Sequence, residues 1–110
     1  MPPPPLHVEL VRDERSRTTR VVVSGEVDLG SVPVLGRALE TAAERGGTVV
    51  LDLAGATRFD DRGTEPVVRT AQRLIAAEGS LVVANASPSV RRGLIGCSLG
   101  HVLADGPGPT

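Results

Sequence analysis

Asp60 and Asp61 stand side by side in the segment Thr57-Arg58-Phe59-Asp60-Asp61-Arg62-Gly63-Thr64. Adjacent carboxylates can bind a hard cation, serve in acid–base work, or lie solvated at a helix N-terminus, where the dipole favours negative charge. A metal would need further oxygens, and Asp28 is the residue placed to supply them. His7 and His101 lie near opposite ends of the chain, and nothing pairs them with a nucleophile. Gly-x-Ser-x-Gly, His-Glu-x-x-His and Cys-x-x-Cys are all absent. All twelve basic residues are arginine, and the absence of lysine excludes P-loop and Schiff-base chemistry. Cys97 is the only cysteine, so neither an internal disulfide nor a cysteine metal cluster is available. The balance points away from an enzyme, and no cofactor is expected.

The elements that must position Asp60 and Asp61 are a strand before them and a helix after them. Val49 to Leu53 is an apolar run interrupted only by Asp52, and it reads as a strand buried on both faces. Residues 54 to 63 read as a turn-rich segment. Val67, Val68, Ala71, Leu74 and Ile75 then fall on one stripe of a helix. Pro66 belongs in that helix's first turn, because proline has no N–H to donate. This favours Thr64 as the N-cap and leaves Asp60 to Gly63 as loop. Loops at the carboxyl ends of parallel strands are where an open α/β sheet carries its sites.

The rest of the chain supplies the remaining sheet and helices. Leu6 to Arg12 alternates apolar and polar, as does a half-buried strand. Arg20 to Val27 resumes strand character after the charged turn of residues 13 to 18, so the two form a hairpin. Asp28 follows directly. Ser31 is placed as an N-cap, with Pro33 in the first turn and Val32, Leu35, Leu39 and Ala42 at helical spacing. Gly46 and Gly47 end that helix. Ser80 to Ala84, with Leu81-Val82-Val83, reads as a short strand, Ser87-Pro88 opens a third helix that runs to about Ile95, and His101 to Leu103 reads as a last short strand. The predicted fold class is α/β: a mixed sheet with an initial antiparallel hairpin and parallel later strands, with helices packed against it.

A chain of 110 residues with 40% hydrophobic content makes one domain, here expected over residues 6–104. Met1 to Pro5 holds four successive prolines and reads as a disordered leader; residues 105–110 read as a flexible Gly/Pro tail. Phe59 is the only aromatic residue, so the core must be aliphatic. A net charge of −1 offers no electrostatic case for nucleic acid or anionic lipid. No apolar run approaches the ~20 residues of a membrane span, and no signal peptide is evident, so a cytoplasmic protein is expected.

Three short motifs, in order, resemble the STAS domain of bacterial anti-sigma factor antagonists over residues 6 to 103. Ser24-Gly25-Glu26-Val27-Asp28 is similar to the family's Gly-Glu-apolar-Asp after the second strand. Val49 to Gly63 is similar to its apolar strand, Asp-Leu, and then an apolar residue followed by Asp-Ser-x-Gly. Ser87-Pro88-Ser89-Val90-Arg91-Arg92, with Gly96, resembles its third helix. The resemblance implies a binding module whose partner is an anti-sigma factor that is also a serine kinase, or a related signalling scaffold. In such a pair, phosphorylation of the motif serine ejects the domain. Phe59 then takes the apolar place, Asp60 the Asp, Asp61 the phosphorylated Ser, and Gly63 the Gly, with Asp28 near that serine. Asp61 has no hydroxyl to phosphorylate. Thr64-Glu65-Pro66 departs from the apolar start of the family's second helix, and the last helix that many relatives carry has no counterpart here. The expected docking loop is Asp28, Asp60, Asp61, Arg62, Gly63 and Thr64. The rival reading is a small ligand, such as a nucleotide, held by Asp28, Asp60 and Asp61.

Overall fold

The computed structural model describes residues 6–96 and 99–103. The leader, the tail and Cys97 lie outside the described residues. β1 (His7–Asp13) and β2 (Thr18–Val27) form the expected antiparallel hairpin, in register from His7↔Ser24 to Asp13↔Thr18. α1 (Val32–Glu44), β3 (Thr48–Phe59), α2 (Thr64–Ala76), β4 (Ser80–Ala84) and α3 (Pro88–Gly96) follow. The sheet order is β1-β2-β3-β4, with β2, β3 and β4 mutually parallel.

Strand alternation decides which face is covered. Val21, Val23 and Val27 of β2, Val49, Leu51 and Leu53 of β3, and Leu81 and Val83 of β4 point one way and are buried. They share one core with Leu35 and Leu39 of α1, Val67, Ala71 and Leu74 of α2, and Val90 and Leu94 of α3. Each fully buried Val or Leu contributes roughly 1.5–3 kcal/mol of transfer free energy, and an aliphatic set of this kind needs no aromatic centre. The opposite parity, Val22, Val50, Asp52 and Val82, is half-buried.

The expectation that the β3 run is buried on both faces is therefore corrected, because the core gathers the helices on one face only. Asp52 interrupts the run because it lies on the other face. Its carboxylate accepts from Arg20 Nη1, Asn85 Nδ2 and the Ala54 N–H, each at 3.0 Å. These donors, the Asn85 amide first, hold its pKa below the ordinary carboxylate value.

Several boundaries also differ from expectation. β3 does not end at Leu53 but continues to Phe59, since β2 runs alongside it and supplies hydrogen-bonding partners as far as Val27↔Phe59. Two bulges put one extra residue each into β3: Val22 to Ser24 faces Asp52 to Gly55, and Gly25 to Glu26 faces Ala56 to Arg58. Residues 101–103 form no strand; Gly100–Val102 is a 3-10 turn and Leu103 makes a single parallel bridge to Val83. Ile75 leaves the apolar stripe and is 60% exposed, because the buried face of α2 runs through Val67, Ala71 and Leu74 and the next residue is turned about 100° away from it. Among the described residues, no helix is long and apolar enough to cross a membrane.

Candidate functional site

The carboxyl ends of β2 and β3 are stitched together where the site lies. Val27 and Phe59 are paired, and the Asp60 N–H donates to Val27 O at 2.7 Å. That bond brings the Asp60–Thr64 segment beside Asp28. Asp60 is extended and half-buried, and its Oδ1 accepts the Arg62 N–H at 2.9 Å while its carbonyl accepts the Gly63 N–H at 2.8 Å. It thereby caps a 3-10 turn, Asp61–Gly63, which feeds directly into α2.

The α-helix begins at Thr64 as expected, but Thr64 is its first residue rather than its N-cap, and Asp61 to Gly63 is wound rather than loop. The reason is local. The 3-10 hydrogen bonds use the carbonyls of Asp60 and its neighbours, and Pro66 still falls in the first turn of α2, where its missing N–H costs nothing. Asp61 and Arg62 project into solvent.

Gly63 is buried against the Phe59 ring. An ideal Cβ there would stand 2.7 Å from Phe59 Cε1, 2.9 Å from Cζ and 3.1 Å from Val27 Cγ1. Its φ of −66° is ordinary, so space rather than backbone conformation demands glycine.

Asp28 forms a closed turn with Ser31. Its Oδ1 accepts the Ser31 N–H at 2.9 Å and lies 3.0 Å from the Ser31 hydroxyl, while its own N–H donates to Ser31 Oγ at 2.9 Å. Its carbonyl accepts from Val32 at 2.9 Å. Ser31 occupies the N-cap position, but its hydroxyl turns back to Asp28 and Glu26 and makes no side-chain cap to α1. The Asp28 side chain is exposed, and the Ser31 side-chain bond, then the Ser31 amide, lower its pKa; Arg58 adds a favourable charge.

The structure thus joins the Asp28 and Asp60–Thr64 backbones at one end of the sheet, yet Asp28 and Asp60 each direct a carboxylate oxygen at their own turn. Among the described residues no group of three His, Cys, Asp or Glu side chains could hold a metal ion. His7 and His101 are exposed and stand on other elements. The surface offers a fixed charge at Asp61, backbone rigidity beneath it, and an apolar tip at Leu29, which is 60% exposed between Asp28 and Gly30. As site residues Leu29 and Arg58 escape a sequence reading, and Ser31 is read there only as a helix cap. A leucine in a polar turn was the one visible signal, whereas Arg58 and Ser31 act only through the fold.

Residues 10–104 match the family model described as "Mlab, STAS domain". No curated protein matches the chain. The fold is similar to the anti-sigma factor antagonist SpoIIAA in its unphosphorylated form, at 24% identity and TM-score 0.73 over 88% of this chain and 85% of that one. It is equally similar to the Bacillus cell fate determinant SpoIIAA in the phosphorylated form, at 23% identity and TM-score 0.73 over 88% of each chain. An anti-sigma factor antagonist from Mycobacterium paratuberculosis gives 21% identity and TM-score 0.75 over 91% of this chain and 84% of that one. At these identities the likeness establishes a shared fold.

Proposed function

The chain belongs to the STAS domain family, and on that premise we propose that it is an anti-sigma factor antagonist-like regulatory module of bacterial partner switching whose phosphorylatable serine is replaced by Asp61. It acts in the cytoplasm by binding a serine-kinase-like anti-sigma factor or a related signalling scaffold, and it carries out no catalysis. Its docking surface is Asp28, Asp60, Asp61, Arg62, Gly63 and Thr64.

The observation that carries this reading is the setting of Asp61. It is the exposed first residue of a capped turn at the N-terminal end of α2, on a backbone held to β2. A negative charge is favoured there by the helix dipole. A carboxylate brings −1 where a phosphoserine brings about −1.5 to −2, so Asp61 is a permanent, partial imitation of the phosphorylated state. The fold is equally similar to the phosphorylated and unphosphorylated forms of SpoIIAA. This supports placing the difference between states in charge at the loop rather than in a rearranged sheet. Because Asp28 and Asp60 spend carboxylate oxygens on their own turns, a protein partner suits the surface better than a small ligand.

The test compares native protein with Asp61→Ser in the presence of a kinase-type anti-sigma factor and ATP. Intact mass should show one added phosphate on the serine variant and none on the native chain, and the native chain should bind the partner more weakly. Phosphate on Thr57 or Thr64 of the native protein would sink the idea of a lost switch. Equal affinities would remove the mimic.

A further inference from the structure

β3 is longer than the strand beside it. β4 pairs with Thr48 to Asp52 and stops at Ala84. Asn85 then turns the chain away with φ 60°, held by its side-chain bond to Asp52 at 3.0 Å. From Leu53 to Phe59, β3 is paired with β2 on one side, and among the described residues no strand pairs with it on the other.

Because β3 runs on past the end of β4, a groove of about 510 Å³ lies between this edge and the turn from β4 into α3. Asn85, Ser87 and Ser89 line one wall, and Thr57, Arg58 and Phe59 line the other. An unpaired edge presents main-chain N–H and C=O groups that another extended backbone can satisfy. Ala54, Gly55 and Ala56 are small, so a second backbone can approach closely. Gly55 also fits a constraint of its own, since a Cβ there would lie 3.0 Å from both Ser24 Oγ and Val23 O. Arg58 is the one charged side chain among the groove's lining residues, and the N-terminal turn of α3 adds a positive dipole end.

We propose that the β3 edge from Leu53 to Phe59 is a second docking surface, on which an extended acidic segment of a partner protein adds as a further strand. Main-chain bonds would supply binding, and Arg58 with the N-terminal turn of α3 would select acidic over basic side chains. This surface lies beside α3, with Arg58 at the end where it also neighbours the Asp28 carboxylate, and it stands whether or not Asp61 mimics a phosphate.

The probe is the peptide acetyl-Val-Glu-Val-Glu-Val-Glu-Val-amide, titrated into isotope-labelled full-length protein and followed by amide shifts and hydrogen exchange. The expected result is shifts confined to residues 53–59 and 85–90, with slowed exchange of alternate amides in 53–59. The same peptide with lysine for glutamate should bind about tenfold more weakly, and alternate N-methylation of its backbone should abolish binding. Arg58→Glu should reverse the charge preference. Ser89→Glu, at an exposed position in the first turn of α3 where a carboxylate suits the helix, should weaken the acidic peptide without disturbing the fold. The proposal is overturned if the acidic peptide fails to bind at millimolar concentration, if the N-methylated peptide binds equally well, or if the preference survives both substitutions. It is equally overturned if inorganic phosphate or ATP shifts these residues while the peptide does not, or if the 53–59 amides are already fully protected by the chain's own segments.

Discussion

Gly63→Ala isolates the contact that holds the candidate loop over the sheet. Two effects compete. Alanine narrows the unfolded ensemble and is a better helix former, which favours the folded state by about 0.4–1 kcal/mol where the backbone accepts it, and the Gly63 φ of −66° does accept it. Against this, the new methyl would lie 2.7 and 2.9 Å from two Phe59 ring carbons and 3.1 Å from Val27 Cγ1. Carbon pairs settle at roughly 3.5–4.0 Å. Val27 is fully buried and cannot yield, so the half-buried Phe59 ring must. Forcing a methyl into a filled site costs about 1–3 kcal/mol. The steric term wins at mid-range, about 2 against about 0.7 kcal/mol, and the net loss should be about 1.3 kcal/mol. Urea melts should show an unchanged slope and a midpoint lowered by roughly 0.5–1 M. In a Phe59→Leu background the same substitution should cost less, with a coupling of at least about 0.5 kcal/mol. A neutral or stabilising Gly63→Ala, or an equal penalty in both backgrounds, would refute the reasoning and show that the ring moves aside freely.

The neighbouring aspartates should behave differently. Asp60→Ala removes the cap to the Arg62 N–H and should cost about 1 kcal/mol in denaturant melts, whereas exposed Asp61→Ala should stay within about 0.5 kcal/mol. A loss above ~2 kcal/mol at Asp61 would mean that it holds structure. Asp52→Ala should cost about 1.5–3 kcal/mol, because it strips hydrogen bonds from Arg20, Asn85 and the Ala54 amide at a side chain only 17% exposed. Asp28 and Asp52 both have lowered folded-state pKa values. Their contribution is therefore full above the unfolded carboxylate value of about 3.9 and is lost as pH falls from there through the folded values. Acid titrations of stability should show Asp52→Asn with a shallower loss below about pH 4 than the native chain; an unchanged acid limb would count against the assignment.

What the sequence determined about this protein is what short-range periodicity can encode. Alternation in Leu6–Arg12 and Arg20–Val27 makes a hairpin wherever those residues are placed, and both strands are there. The stripe of Leu35, Leu39 and Ala42 makes a helix, and Pro66 keeps the start of α2 at Thr64. The order of strand, acidic pair, glycine and helix was legible for the same reason, and with it the family. Ala54 to Phe59 carries no such signal. Its composition suits a turn, and it becomes strand because Ser24 to Val27, some thirty positions earlier, offers hydrogen bonds along its side. Asp52 looks like a flaw in a buried run until the helices collect on one face and leave the other to Arg20 and Asn85. Asp28 and Ser31 read as a loop acid and a helix cap, and only the fold closes them on each other. The open β3 edge likewise exists because β4 stops at Ala84 while β3 runs on to Phe59. Such features depend on which distant residue arrives as a neighbour, and that is settled by packing the sheet and helices together rather than by any local pattern.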